Sequence, residues 1–316
     1  MYQEILILAG GLVILILGGE FLIRGAQQIA VRAHISPLVI GLTVVAFGTS
    51  APELFISLRS ALQGSSDFTM GNVIGSNICN LAMILGVTAI ISPFKVHTSS
   101  IKRDWPVVMG ASLLLYFIMK LGYINYQTGL LLLVILVVYL VSVIYTSRKQ
   151  IKEERENLAV SETPVIKQTF WKDLAYVMLG GAGLFFGSEW FVGGAKELAI
   201  GLGVSERIIG VTVLALGTSL PELVTASIAA YKKETDLAVG NLIGSNIFNI
   251  LFILGATGVI TDINISAIIM QIDMTWMLGV TLIIFPMMVF KQRMGRASGI
   301  ILLLIYVAYI YTVISG

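Results

Sequence analysis

Apolar residues recur along this chain in long blocks separated by short polar turns, from one end to the other. A helix needs about 20 predominantly apolar residues to cross the hydrocarbon core of a bilayer. Ten blocks near that length predict ten spans, at residues 5–23, 39–62, 70–91, 105–121, 130–145, 174–191, 208–230, 237–260, 268–290 and 299–315. The expected fold class is an all-α polytopic membrane protein. No basic region precedes the first block and no small-residue cleavage site follows it, so it is expected to stay as a helix and not to be cleaved as a signal peptide.

The chain contains itself twice. Residues 18–91 align without a gap on residues 187–260 at a constant offset of 169, with about two in five positions identical. Glu20 falls on Glu189, Glu53 on Glu222, Asp67 on Asp236, Ser76 on Ser245 and Asn80 on Asn249. Between the copies, the stretch 147–168 carries Arg148, Lys149, Lys152, Glu153, Glu154, Arg155 and Glu156 with few apolar residues, and reads as a water-exposed linker. The expected organisation is a first five-helix repeat at 1–146, a linker at 147–170 and a second repeat at 171–316. Five is odd, so the second copy must enter the membrane from the opposite side, and the two five-helix repeats must be inverted.

The loop charges support that inference, because Lys and Arg favour cytoplasmic loops. Arg24, Arg32, Lys95, Lys102 and Arg103 are replaced in the second copy by Gly193, Gly201, Asn264, Gln271 and Ile272. Conversely, Lys232 and Lys233 stand where the first copy has Gln63 and Gly64, and Lys291, Arg293 and Arg296 follow the ninth span. All these clusters, and the linker, become cytoplasmic when both termini face outward; Arg59 and Lys120 are the exceptions. The plasma (inner) membrane is the expected location.

Composition excludes several classes of function. The chain is 57% hydrophobic and 12% charged, with mean hydropathy +0.92, against about 25% charged residues in soluble domains. A net charge of +2 spread over short loops makes no nucleic-acid face. Cys79 is the single cysteine, so an internal disulfide is impossible, and no Cys/His cluster has zinc spacing. Neither His34 nor His97 lies in a motif, and no phosphate-binding or His-Glu-x-x-His pattern occurs, so neither enzyme chemistry nor a resident cofactor is expected.

The chemistry sits in two repeated motifs. Gly48-Thr49-Ser50-Ala51-Pro52-Glu53 and Gly217-Thr218-Ser219-Leu220-Pro221-Glu222 interrupt apolar helices. A proline within a helix removes one hydrogen bond and clashes with the carbonyl four residues back, which is expected to free the Gly48 and Gly217 carbonyls. Such backbone is tolerated at membrane depth only inside protein or along a water-filled cavity. Where helical geometry resumes, Thr49 and Ser50 share a face with Glu53, and Thr218 and Ser219 share one with Glu222. A carboxylate near the bilayer centre costs at least ~2.5 kcal/mol, so two at equivalent positions point to a cation between them. The second motif, Gly-Asn-x-Ile-Gly-Ser-Asn, gives the polar stripes Asn72, Ser76, Asn80 and Asn241, Ser245, Asn249.

Together the motifs supply carboxylate, hydroxyl, amide and carbonyl oxygens, with no imidazole. That donor set suits a hard cation. Ca²⁺ takes about six to eight oxygens in flexible geometry, while Mg²⁺ demands a near-ideal octahedron; two glutamates neutralise one Ca²⁺, and the neutral oxygens suit Na⁺. Gly and Ser in membrane helices also serve close packing, and an isolated Gly-x-x-x-Ser reads that way; duplication around a buried Glu favours ion binding. Glu20 and Glu189 have two readings, helix-end capping or gating.

These paired motifs resemble the alpha repeats of the cation/Ca²⁺ exchanger superfamily, most closely its prokaryotic Na⁺/Ca²⁺ exchanger-like members, over essentially the whole chain. The resemblance implies ten transmembrane helices in two inverted repeats, a cytoplasmic linker, and sliding of the first and sixth helices as gates. It implies a Ca²⁺ site at Glu53, Glu222, Thr49 and Thr218, flanked by Ser50, Ser219, Ser76 and Ser245, with backbone oxygens of Ala46, Thr49, Ala215 and Thr218. K⁺-dependent relatives carry Asp where this chain has Asn80 and Asn249, which weakens a K⁺-coupled reading. The expected activity is exchange of Ca²⁺ for Na⁺ by alternating access across the lipid bilayer. Two alternatives stay open: exchange of Ca²⁺ for H⁺ at the buried glutamates, and a cation channel.

Overall fold

The computed structural model describes residues 2–157, 169–202 and 215–315. The start of the expected seventh span (208–214) and part of the expected linker (158–168) lie outside these described residues, as do the side chains of Glu154, Arg155 and Lys291. The described chain is helical apart from four two-residue strands.

Helix α1 (Tyr2–Ala33) ends at His34, whose φ of 53° closes it in a left-handed turn. Ser36 caps α2 (Pro37–Ile40) by accepting the Val39 N–H at 3.4 Å, and Pro37 sits in the first turn, where its missing N–H costs nothing. A π-helical turn, Gly41–Val45, leads into α3 (Ala46–Thr49). At Ser50 the chain breaks, and α4 (Ala51–Leu62) departs at 46°. Gly64, with φ 77°, turns the chain into α5 (Ser66–Ile78), which continues through a π-helical turn (Cys79–Ile84) into α6 (Leu85–Ile91). After β1 (Phe94–Lys95) and a π-helical turn (Ser100–Asp104) come α7 (Trp105–Met119), β2 (Tyr123–Ile124) and α8 (Tyr126–Asn157).

The second part of the chain repeats this order. It runs through α9 (Phe170–Gly201), α10 (Ala215–Gly217), α11 (Leu220–Tyr231), α12 (Thr235–Ile247), a π-helical turn (Phe248–Ile253), α13 (Leu254–Ile260) and β3 (Ile263–Asn264). It closes with α14 (Ala267–Gln271), α15 (Asp273–Val289), β4 (Arg293–Met294) and α16 (Arg296–Ser315). From α4 to β1, each element reappears 169 residues later with identical bounds, including the π-helical turn. The strands pair across the two copies, Phe94 with Met294 in β1–β4 and Ile124 with Ile263 in β2–β3, so each copy is stitched to the other at two points.

Among the described residues, seven helices are long and apolar enough to cross a membrane, and eight when the bent pair 37–49 plus 51–62 counts as one. Ten spans were expected. Of the remaining two, the fourth is α7, only 15 residues long with a π-helical turn before it, and the seventh begins outside the described residues. Helix α8 runs on through the expected start of the linker to Asn157, with Lys149–Glu153 and Lys152–Glu156 paired at 3.8 Å each.

Burial sorts the helices into an inner and an outer set. The apolar windows of α5–α6 and α12–α13 are 72% and 94% buried, against 22–33% for the other long helices. Outer helices expose apolar stripes at helical spacing, Leu130, Val134, Val137 and Val141 on α8 and Ile300, Leu304, Val307 and Tyr311 on α16. Patches of that extent are stable against lipid and not against water.

Helices α1 and α9 cross antiparallel with their backbones touching. Gly11, Gly18 and Gly25 recur every seven residues on α1, and Gly180, Gly187 and Gly194 on α9. A Cβ at Gly18 would lie 2.7 Å from the Leu184 nitrogen, and one at Gly187 2.7 Å from the Leu15 nitrogen. Small residues permit this approach, which lets dispersion act where lipid removes the hydrophobic drive to associate. At the end of the pair, Arg32 donates from Nε at 3.2 Å and Nη2 at 2.8 Å to the fully buried Asp173.

Gly180→Ala is therefore expected to destabilise the protein by about 1–3 kcal/mol, because its methyl group meets the Leu22 backbone. Gly181→Ala, with open space around it among the described residues, is expected to leave stability unchanged or raise it through helix propensity. Melting temperatures of the detergent-solubilised variants check the contrast.

Candidate ion-binding site

Both Pro-Glu motifs fall at the breaks between short helices, and this corrects the expected geometry. Pro52 and Pro221 occupy the first turns of α4 and α11 and do not kink a continuous helix. The glutamates consequently stand in the first turn as well, where the positive end of the helix dipole favours an acid. The Gly217 carbonyl, expected to face an ion, instead accepts the Ser188 hydroxyl of α9 at 2.7 Å.

The two breaks meet in the interior. Glu53 is 1% exposed and Glu222 fully buried. Ser50 donates to Glu222 Oε1 at 3.1 Å, and Ser245 donates to the same oxygen at 3.4 Å. Thr49 Oγ1 lies 3.3 Å from Ser245 Oγ, 3.1 Å from Asn241 Oδ1 and 3.3 Å from the Ala46 carbonyl. On the other side, Ser76 and Thr218 hydroxyls are 3.5 Å apart. Most of these contacts join a residue of one copy to a residue of the other.

What stays unpartnered is as informative. Both carboxylate oxygens of Glu53, Glu222 Oε2, the Ser219 hydroxyl, and both amide atoms of Asn80 and of Asn249 are buried without a hydrogen-bond partner among the described residues. No Lys or Arg bonds to either glutamate among the described residues. Buried polar atoms are ordinarily satisfied, and a buried carboxylate without counter-charge is costly. Such a donor set fits a cation coordinated by oxygen.

The structure thus brings together Thr49, Ser50, Glu222, Ser245 and the Ala46 carbonyl, with Thr218 and Ser76 paired beside them and Glu53 and Ser219 buried in the same breaks. Asn80 and Asn249 lie further along, on π-helical turns. Those turns widen the helix, so the regular stripe expected from Asn72 to Asn80 and from Asn241 to Asn249 ends before its last member. Ala215 opens α10 at the edge of the described residues, its side chain outside them. Ser57, Thr69 and Ser188 are polar contributors that motif reading missed, because none lies in a repeated motif; Ser57 accepts Asn72 Nδ2 at 2.9 Å and its carbonyl accepts the Thr69 hydroxyl at 3.1 Å. Glu20 pairs with Lys232 across α1 and α11, whereas its counterpart Glu189 is exposed.

A bundle of apolar helices that gathers oxygen ligands from two related halves around buried carboxylates defines a multi-pass integral membrane transporter of cations. The sodium/calcium exchanger protein family matches residues 4–145 and 172–315, and the chain belongs to that antiporter family. It is 37% identical to CaxA of Alkalimonas amylolytica over 314 residues, covering 97% of each chain. It is 31% identical to the sodium/calcium exchanger MaX1 of Methanosarcina acetivorans over 340 residues, covering 96% of this chain and 97% of that one. Its fold matches that of the sodium-calcium exchanger NCX_Mj with a TM-score of 0.82 at 28% identity, over 98% of both chains.

Two asparagines one turn apart separate packing from ligation. Asn246→Ala removes a 2.7 Å bond to the Leu242 carbonyl and is expected to cost about 1 kcal/mol of stability with an unchanged Na⁺ midpoint. Asn249→Ala removes an amide oxygen and nitrogen that have no partner among the described residues and is expected to weaken Na⁺ binding with little loss of stability. Melting temperature followed through a Na⁺ titration reads both.

Proposed function

We propose that this chain exchanges Ca²⁺ for Na⁺ across the inner membrane by alternating access at a central site made by ten helices in two inverted repeats. The observation that carries the site is the pair of fully enclosed glutamates, Glu53 and Glu222, with three of their four carboxylate oxygens unpartnered among the described residues. In this reading Glu53, Glu222, Thr49 and Thr218 hold Ca²⁺, which neutralises both carboxylates. Ser50, Ser219, Ser76, Ser245, Asn80 and Asn249, with the Ala46 and Ala215 carbonyls, complete the flanking positions that Na⁺ takes when Ca²⁺ leaves.

Several observations support the inverted arrangement. The repeat-related helices α1 and α9 run antiparallel, and contacts at the site are exchanged between copies. The basic clusters of the two halves become cytoplasmic together only when both termini face outward. Na⁺ as the coupling ion is favoured by the abundance of neutral hydroxyl, amide and carbonyl oxygens and by the names of MaX1 and NCX_Mj as sodium/calcium exchangers. Neutral Asn80 and Asn249 argue against K⁺ coupling.

Competition for one pair of carboxylates couples the two fluxes, because Ca²⁺ and Na⁺ cannot both satisfy the same charge. In proteoliposomes, an outward Na⁺ gradient is expected to drive Ca²⁺ uptake. Glu53→Gln and Glu222→Gln are each expected to reduce it at least about tenfold, equivalent to about 1.4 kcal/mol of lost stabilisation. Uptake driven by a proton gradient alone would transfer the coupling to H⁺, and Ca²⁺ flux without any countertransported ion would replace the antiporter by a channel.

A further inference from the structure

Three pairs of asparagines are related by the 169-residue offset on α5 and α12 and the turns that follow them, and two of the pairs behave alike. Asn77 and Asn246 each donate to the carbonyl four residues back at 2.7 Å. Asn80 and Asn249 are each buried without a partner. The third pair differs. Asn72 Nδ2 donates to Ser57 Oγ at 2.9 Å and to the Glu53 carbonyl at 3.5 Å. Asn241 Nδ2 has no partner among the described residues, and its Oδ1 faces the Thr49 hydroxyl at 3.1 Å.

One substitution between the copies accounts for the difference. The position that is Ser57 in the first copy is Ala226 in the second, and both are fully buried. Asn72 has an acceptor on α4, whereas the matching residue on α11, Ala226, has no side-chain acceptor to offer Asn241. Without that acceptor, the Asn241 amide turns its oxygen to Thr49.

The consequence lies in where a hydroxyl proton goes. Thr and Ser carry one proton each, and their lone pairs face a cation best when that proton is given to an acceptor elsewhere. Asn241 Oδ1 offers Thr49 such an acceptor. Thr218, the counterpart of Thr49, has only the Ser76 hydroxyl at 3.5 Å among the described residues.

We propose that Ser57 is a positioning residue that makes the two sides of the ion site unequal: by holding the Asn72 amide, it denies Thr218 the acceptor that Thr49 has. The Glu222 side therefore binds cations more tightly than the Glu53 side. This inference rests on the reading of the site as an ion site, and a binding measurement without transport tests it.

The melting temperature of the purified full chain in detergent, titrated with NaCl or CaCl₂ alone at constant ionic strength, gives an apparent midpoint for each ion. Ser57→Ala releases Asn72 and is expected to tighten the midpoint of at least one ion about fivefold, the scale of one hydrogen bond. Ala226→Ser draws Asn241 away from Thr49 and is expected to weaken it by a similar factor, so the two single variants probe the same idea from opposite sides if one of them folds poorly. The double exchange should return the midpoint to near its starting value, and adding Asn72→Ala to Ser57→Ala should abolish the gain. A wild-type chain that neither ion stabilises would overturn both the site and this inference. Wild-type stabilisation with unshifted midpoints in both single variants, or shifts of the same sign, would overturn the positioning role alone.

Discussion

Two carboxylates enclosed in the middle of an apolar bundle, with no basic side chain bonded to either among the described residues, impose the constraint to which the rest of the structure answers. In lipid there is no water to solvate a charge or a broken backbone, so each must be met by protein or by a bound ion. The helix breaks at Ser50 and Ser219 are tolerated because they lie against one another inside the bundle, and Ser50, Ser245 and Thr49 crowd around Glu222 from both copies. Irregular backbone, hydroxyls and acids are thus concentrated in one place, and the outer helices carry only what lipid accepts.

Around that centre the helices divide into two kinds of contact. The inner helices α5–α6 and α12–α13 are buried on nearly every face and hold the polar stripes in register. Helices α1 and α9 touch each other backbone to backbone through their spaced glycines and are closed at one end by Arg32 and Asp173. They also pack on the helices of the site: Gly19 of α1 lies against Val224 and Ile228 of α11, Leu22 lies against Gly48, the Ser188 hydroxyl binds the Gly217 carbonyl, and Glu20 pairs with Lys232 on α11.

Much of this was legible in the chain because membrane burial leaves strong patterns. Blocks of about 20 apolar residues mark spans, and a gapless repeat of acidic and hydroxylated motifs marks a site that pure packing would not conserve within one sequence. The element bounds of α4, α5 and α6 recur at the same offset as the residues do. Less legible was the form of the breaks. Pro52 looked like a kink in a helix and proved to be the first turn of a new one, because a proline is cheapest where no N–H is needed.

The chain by itself determined which residues carry the acids and hydroxyls of the two motifs, Glu53 and Glu222 with the hydroxyls beside them, placed twice by one duplication. Tertiary structure alone decided which of them meet. Thr49 finds Asn241 while Thr218 lacks the matching amide, the Gly217 carbonyl is capped by Ser188, and the stripe through Asn80 is turned aside by a π-helical turn. A repeat assigns like residues to like places on the backbone, but hydrogen bonds between copies depend on neighbours that the repeat does not share. Ser57 facing Ala226 across the duplication is such a neighbour, and a single hydroxyl there is enough to send two equivalent asparagines in different directions.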